Sequence, residues 1–494
     1  MLSRILGFVR DLIFARIFGA DATTDAFFVA FKIPNFMRRL FAEGAFAAAF
    51  VPVLNEYKTK RSFAELKQFV DEMAGSFGLI LLIITVIGVL AAPFLVMIFA
   101  PGFIGQEGKS ALATEMLRLT FPYLLFISLT AFAGGILNTH NRFSVPAFTP
   151  VLLNLCLIGC ALWLAPTMDE PVVALAWGVL MAGVVQLAFQ LPFLGQIKLL
   201  PRPRIAFANK GIRKVLKLMA PALFGVSVSQ INLLLDTLIA SFLVSGSISW
   251  LYYSDRLMEF PVGILGVALG TVILPSLSRK HAEQSTEAFS HTLDWGLRLV
   301  LLLGVPSCIG LVMLSGPMLV TLFHSEAFNE QDVVMSSYSL MAYAFALIPF
   351  IAIKVLAPGY YARQNTKTPV KIGIIAMTAN MMLNLIFVFP LDHAGLALAT
   401  SISASLNAWL LLRGLQKDGT YRAEAHWPAL IGKVLCAALA MGVLLFFGTA
   451  PLTEWMAMSG VTQVGRLIAW ISAGALLYFA VLYLLGIRKQ HFLT

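Results

Sequence analysis

Charge is scarce in this chain: 12% of its 494 residues are Asp, Glu, Lys or Arg, 59% are hydrophobic, and the mean hydropathy is +0.85. Soluble domains carry about 25% charged residues, so that class is excluded and an integral membrane protein is expected. Cysteine is scarcer still. Cys156, Cys160, Cys308 and Cys436 fall in apolar stretches, with neither the pattern of a disulfide framework nor the spacing of a zinc site, and behave as small hydrophobes. Also missing are a Ser/His/Asp arrangement and a phosphate loop, and His324 and His393 are too far apart in sequence to read as a ligand pair. These absences argue against an enzyme, a nucleotide-driven pump and a resident cofactor. No apolar run is followed by a small-residue cleavage site, so no removable signal peptide is expected.

What the chain does have is apolar runs of about 20 residues along its whole length. Fourteen spans are predicted, centred in residues 4–20, 25–54, 72–99, 116–137, 144–165, 171–195, 218–244, 249–277, 294–322, 334–360, 369–390, 394–414, 428–449 and 464–486. The loops between them alternate in charge. One set holds Lys58, Lys60, Arg61, Arg142, Lys198, Arg202, Arg204, Lys210, Arg213, Lys214, Arg279, Lys280, Arg363, Lys367, Lys417 and Arg422, with Arg488 and Lys489 in the tail. The other set is acidic (Asp21, Glu107, Asp169, Glu170, Glu326, Asp392 and Glu454 among them) with Lys109 its single lysine. Positive charge flanking spans stays in the cytoplasm. Both termini are therefore expected inside, and the net charge of +10 reads as topology, with no nucleic-acid partner. Loop acids and Trp250, Trp427 and Trp455 read as topology signals and interface anchors.

The sequence also repeats itself. PFLVMIF at 93–99 matches PMLVTLF at 317–323, DLIFARIF from Asp11 matches DTLIASFL from Asp236, Pro52 pairs with Pro275 and Pro146 with Pro369, all at shifts of 223 to 225. Such a shift covers six spans, an even number, so the copies point the same way about an axis along the membrane normal. The expected fold is thus an all-α polytopic membrane protein. It has two six-helix lobes, residues 1–200 and 218–420, a basic cytoplasmic linker at 201–217, and an unpaired helix pair within 421–494. Proteins built this way commonly carry substrate between the repeats; an inert scaffold or a channel is the other reading.

Charges inside the spans point to that substrate, because ionised groups avoid hydrocarbon and mark a wet path. Asp25, Lys32, Arg39 and Glu43 follow one another at spacings of 7, 7 and 4, which puts them within about 40° of one another on an ideal helix. Arg38 points elsewhere on that helix, but Pro34 removes a backbone donor and can rephase the turns after it, so the choice between Arg38 and Arg39 stays open. In the first span Arg4 and Asp11 share a face with Arg10 on its flank, and in the eighth Arg256 and Glu259 form an i, i+3 pair. Arginine forks suit phosphate oxygens, and neighbouring acids orient and neutralise them. The alternative is ion pairs that only fix packing; arginines from three helices favour an anion site. Asp236, the lone acid of the seventh span, with Asn380, Asn384 and Thr400, offers oxygen ligands for a monovalent cation. A protonated or hydroxyl-paired Asp236 is the other reading.

Four segments carry a family resemblance: SRILGFVRD at 3–11, TDAFFVAFKIPNFMRRLFAEGAFAAAFVPVL at 24–54, SWLYYSDRLMEFPVGILGVALGTVILPSLS at 249–278 and VLAPGYYARQNTKTPVK at 355–371. Over essentially its whole length the chain resembles the MurJ/MviN lipid II flippases of bacteria, within the multidrug/oligosaccharidyl-lipid/polysaccharide exporter superfamily. The resemblance implies movement of the undecaprenyl-diphosphate-linked peptidoglycan precursor from the inner to the outer leaflet of the cytoplasmic membrane, with membrane lipids and cell-wall synthesis enzymes as partners. It assigns a cationic cavity to Arg4, Arg10, Asp25, Arg38, Glu43, Arg256 and Glu259, and a lipid-tail groove to the last two helices. Family members usually carry about a dozen residues ahead of the SRILGFVRD match, so an upstream start or a short first helix is expected here. The rivals are a multidrug/cation antiporter, which calls for an acidic or aromatic cavity and twelve spans, and a membrane glycosyltransferase, which calls for a large external loop.

Overall fold

A computed structural model of the chain describes residues 2–106 and 108–488, except for the side chains of residues 41–43, 222, 224–231 and 233. Among the described residues all regular structure is helical. Helix α1 (Leu2–Phe18) is followed by α2 (Ala22–Arg38), which starts where the Asp21 carboxylate accepts the N–H groups of Thr23 and Thr24, both at 2.9 Å. These are two of the four donors a helix start leaves without partners. The chain then passes through a π-helical segment, Arg39–Gly44, into α3 (Ala45–Lys60). A capping box of Ser62 and Glu65 opens α4 (Phe63–Leu90). Next come α5 (Ala92–Phe99), α6 (Lys109–Thr120), α7 (Tyr123–Thr139), α8 (Ser144–Gly159), α9 (Val173–Gln196), α10 (Lys210–Ala240) and α11 (Ser247–Pro261). Another π-helical segment, Val262–Gly266, joins α11 to α12 (Val267–Ala282). The remainder comprises α13 (Thr286–Met313), α14 (Ser315–Phe323), α15 (Glu330–Ala344), α16 (Leu347–Tyr361), α17 (Lys367–Lys417), α18 (Trp427–Gly448), α19 (Leu452–Ala457) and α20 (Gly460–Leu484).

Ten helical runs among the described residues are long and apolar enough to cross a membrane. The longest, α17, leaves helical geometry at Asp392 (φ 46°, ψ −131°), two residues after Pro390. A Cβ on Gly395 would stand 2.3 Å from the Phe387 carbonyl oxygen, whereas residues eight apart in a straight helix are about 12 Å apart. The run is therefore two helices meeting at a sharp corner, where the sequence predicts the break between its eleventh and twelfth spans.

Element boundaries recur at one shift. Helices α4 and α13 are both 28 residues long and begin 223 positions apart, at Phe63 and Thr286, behind the N-cap serines Ser62 and Ser285. The starts of α5 and α14, of α8 and α17, and of the π-helical segments at Arg39 and Val262 keep the same shift. So do the left-handed residues Asn141 and Gln364, each with φ 58°.

By contacts the chain divides into two compact units, Met1–Ser249 and Trp250–Thr494. The core of the first includes a ladder of rings in which Phe46 stacks on Phe77 at 4.3 Å and Phe50 packs against Phe69 and Phe132. The basic segment after α9 is pinned to α4. Arg202 N–H donates to the Asp71 carboxylate at 2.6 Å, Arg204 N–H to the Asp71 carbonyl at 3.0 Å, and Ala206 N–H to Ser76 Oγ at 3.0 Å. Gly75 makes this possible, since a Cβ there would lie 2.3 Å from the Arg204 carbonyl oxygen. In the second unit the α18/α20 pair packs on α13, and Tyr478 OH donates to the Leu302 carbonyl at 3.0 Å. Trp250 and Trp455, expected at the membrane interface, are instead buried in protein, at 4% and 0% exposure.

Candidate functional site

In the first unit α1 presents Arg10, whose Nε and Nη2 donate to Asp11 Oδ1 at 3.0 and 2.7 Å and whose Nη1 donates to Asn154 Oδ1 at 3.1 Å. The guanidinium also lies 5.6 Å from the Phe14 ring centroid. Asn154 is held in turn by donating to the Ser3 carbonyl at 3.0 Å. An apolar helix, α8, thereby supplies the amide that fixes the fork, and Asp11 neutralises it. Arg4, six residues earlier on α1, is exposed.

Asp25 has a different situation. The residue is 1% exposed and its carboxylate accepts four hydrogen bonds: Gly246 N–H at 2.7 Å, Ser249 N–H at 2.9 Å, Ser249 Oγ at 2.7 Å and Lys109 Nζ at 3.2 Å. Lys109 also donates to Ser245 Oγ at 3.2 Å and sits 4.3 Å from the Phe103 ring centroid. The carboxylate caps the start of α11 while tying in α6, so in this conformation its acceptor capacity is used by the protein. Lys109, read from sequence as an outer-loop residue, is 6% exposed; its being the one lysine among acidic loops is the signal that marks it.

Further along the same helix, Lys32 Nζ donates to Thr237 Oγ1 at 3.0 Å, beside the turn of α10 that carries Asp236. Arg38 Nε donates to Asn35 Oδ1 at 2.9 Å, and Arg38 and Arg39 are both partly buried. The ideal phase that aligned Asp25, Lys32, Arg39 and Glu43 runs through α-helix as far as Arg39 but not on to Glu43, because a π-helical turn holds more residues per turn than an α-turn and Arg39–Gly44 is such a turn. The Glu43 side chain lies outside the described residues.

In the second unit, Arg256 Nη1 donates to Glu259 Oε2 at 2.6 Å, and its guanidinium lies 4.9 Å from the Tyr252 ring centroid. Both charged side chains are open, at 35% and 54% exposure, on a run otherwise apolar enough to cross a membrane. Asn380, Asn384 and Thr400 do come together: Asn380 Nδ2 donates to Thr400 Oγ1 at 3.3 Å, and Asn384 Nδ2 donates to Asn380 Oδ1 at 3.1 Å. Asp236 belongs to the first unit.

A polar knot that the sequence did not single out lies where α13, the segment after α17 and the start of α18 meet. The buried Asp294 accepts from Tyr421 OH at 2.9 Å and from Trp427 Nε1 at 2.6 Å, with Arg298 Nε 3.1 Å away. Burial, followed by the Asp294 charge, holds the Tyr421 hydroxyl well above its ordinary titration range. Trp427 thus ties the start of α18 to α13.

The family model for "Lipid II flippase MurJ" matches residues 14–464. The chain is 48% identical to "Probable lipid II flippase MurJ" of Haemophilus influenzae, covering 100% of this chain and 99% of that one. It is 42% identical to "Lipid II flippase MurJ" of Burkholderia cenocepacia, covering 100% and 96%. Among solved structures it is similar to "Lipid II flippase MurJ, inward closed conformation", with a TM-score of 0.81, 29% identity, and coverage of 97% of this chain and 96% of that one. An inward-facing multidrug resistance MATE family transporter of the MOP superfamily shares the fold at TM-score 0.68 and 15% identity, covering 84% of this chain and 96% of that one.

Proposed function

The chain belongs to the lipid II flippase MurJ family, and on that premise we propose that it moves lipid II across the bacterial inner membrane by alternating access through a passage lined with cations. The substrate joins a sugar-peptide headgroup to a polyprenyl tail through a diphosphate. In this reading the arginines bind the diphosphate, the headgroup stays in water, and the tail remains in lipid outside a lateral opening, against the apolar groove of residues 421–494. The protein is a transporter, and the enzymes that make and polymerise the precursor are its proposed functional neighbours.

The observation that carries the reading is that an arginine held by an adjacent carboxylate occurs in each unit, Arg10 with Asp11 and Arg256 with Glu259. A charge-assisted bidentate contact to phosphate is stronger than a neutral hydrogen bond, and the acids keep the forks charged and oriented when no substrate is bound. Arg4, Lys32, Arg38, Arg39 and Glu43 are proposed as further members of the path, with Asp25 acting at one end through its contacts with α11. Fourteen crossings are proposed: the ten apolar runs, with Lys367–Lys417 counted as two, together with α1, the continuous Ala22–Lys60 segment and α10. Both termini then lie in the cytoplasm. The duplicated boundaries support two six-helix lobes related by an axis along the membrane normal, at residues 1–200 and 218–420 with the linker at 201–217.

Carrying negative charge outward gains about 2.3 kcal/mol per charge per 100 mV of interior-negative potential, so the cycle needs no nucleotide. Inward movement of a monovalent cation held by Asp236 or by the Asn380, Asn384 and Thr400 group is a proposed coupling. Arg10→Ala and Arg256→Ala are expected to abolish growth support in cells depleted of their own flippase while leaving membrane insertion intact. Full growth with both variants would remove the anion-site assignment.

A further inference from the structure

We propose that Lys354 is an additional phosphate-contacting residue of the headgroup path, an inference that rests on the flippase reading above. Lys354 lies midway along α16, seven residues from either end. Helix α16 is an interior helix, packed against α12, α13 and α17. Between Phe345 and Tyr361 it exposes no large apolar side chain, and Lys354 is its one exposed residue in that stretch. Lipid-facing helices of this chain look different: α18 exposes Leu439, Phe446 and Phe447 at 69%, 66% and 80%. An ammonium in the middle of a span, on a helix that exposes no large apolar side chain around it, opens on to water or an anion, because hydrocarbon would expel it.

Two further observations say what it is for. Its ammonium has no ion pair or hydrogen bond among the described residues, so it does not fix packing as Lys109 does. Its methylenes lie along the π-helical segment Val262–Gly266, in space left by a missing side chain: a Cβ on Gly266 would stand 2.5 Å from Lys354 Cδ and 3.1 Å from Cε. Arg256 lies ten residues before Gly266 on the same continuous helical run, roughly 15 Å away along its axis. The run therefore bears Arg256 and cradles Lys354 at successive depths. A diphosphate leaving the rigid arginine fork meets next a compact, rotatable point charge with three donors, which suits release and hand-over.

The test is binding by the full-length protein in detergent, with two probes: lipid II, and undecaprenyl diphosphate without the sugar-peptide. Lys354→Met is expected to weaken both by about tenfold, the scale of one charged hydrogen bond, and Lys354→Arg to cost less because it keeps a cation. The melting temperature of Lys354→Met should equal or exceed that of the wild type, since no native partner is lost. Unchanged affinity, or weakening accompanied by a lowered melting temperature, would overturn the proposal. Weakening for lipid II alone would move the contact to the peptide carboxylates and overturn the phosphate assignment. Failure of the wild type to bind either probe would instead sink the flippase reading itself.

Discussion

At the scale of single residues, the polar groups in the apolar body do two separable things. Asp25 and Lys109 are both buried and mutually engaged, so removing one leaves the other as an uncompensated charge, at a cost of about 3–5 kcal/mol. Asp25→Asn and Lys109→Met are each expected to lower the thermal unfolding midpoint in detergent, and the double variant to lose clearly less than the sum. Additive losses would show that the pair does not act as a unit. Arg10 and Arg256 have acid partners one and three positions away, and such local pairs can be read from sequence. Asn154 and Lys109 could not be matched to their partners, which lie 144 and 84 positions away; helical periodicity describes one helix and is blind to its packing neighbours.

At the scale of elements, the departures from regular helix are informative. The π-helical segments at Arg39 and Val262 sit at equivalent places in the repeat, each following a proline, Pro34 or Pro261, and each near the arginines assigned to substrate. An extra residue in a turn re-aims every later side chain, which is why ideal periodicity carried from Asp25 loses its phase after Arg39, before Glu43. The apolar runs and the corner at Asp392 were legible because length and turn chemistry are local. The strap after α9 was not, being read only as a basic linker; its hold on α4 depends on one absent side chain. Gly75→Ala is expected to displace it, because the added Cβ meets backbone that cannot yield cheaply. Faster tryptic cleavage after Arg204, which precedes Ile205, in folded protein would report this, and an unchanged cleavage rate would show that the strap is held elsewhere.

At the scale of the whole molecule, the proposed alternating access rests on two units with recurring element boundaries and an arginine–carboxylate pair in each. The duplication was visible in sequence through four short matches because prolines and helix starts tolerate little drift, whereas the partners of Asp25, Arg10 and Lys32 depend on tertiary contacts that no sequence window contains. A membrane potential, interior negative, is expected to raise the rate of outward movement in proteoliposomes, and a rate indifferent to the imposed potential would remove the energetic proposal. The most direct measurement is leaflet accessibility of lipid II in flippase-depleted cells carrying this chain, read with a reagent that modifies only precursor on the outer face. We expect the precursor to become accessible with the wild type and to stay protected with Arg256→Ala. Precursor that remains protected with the wild type would contradict the proposed transport.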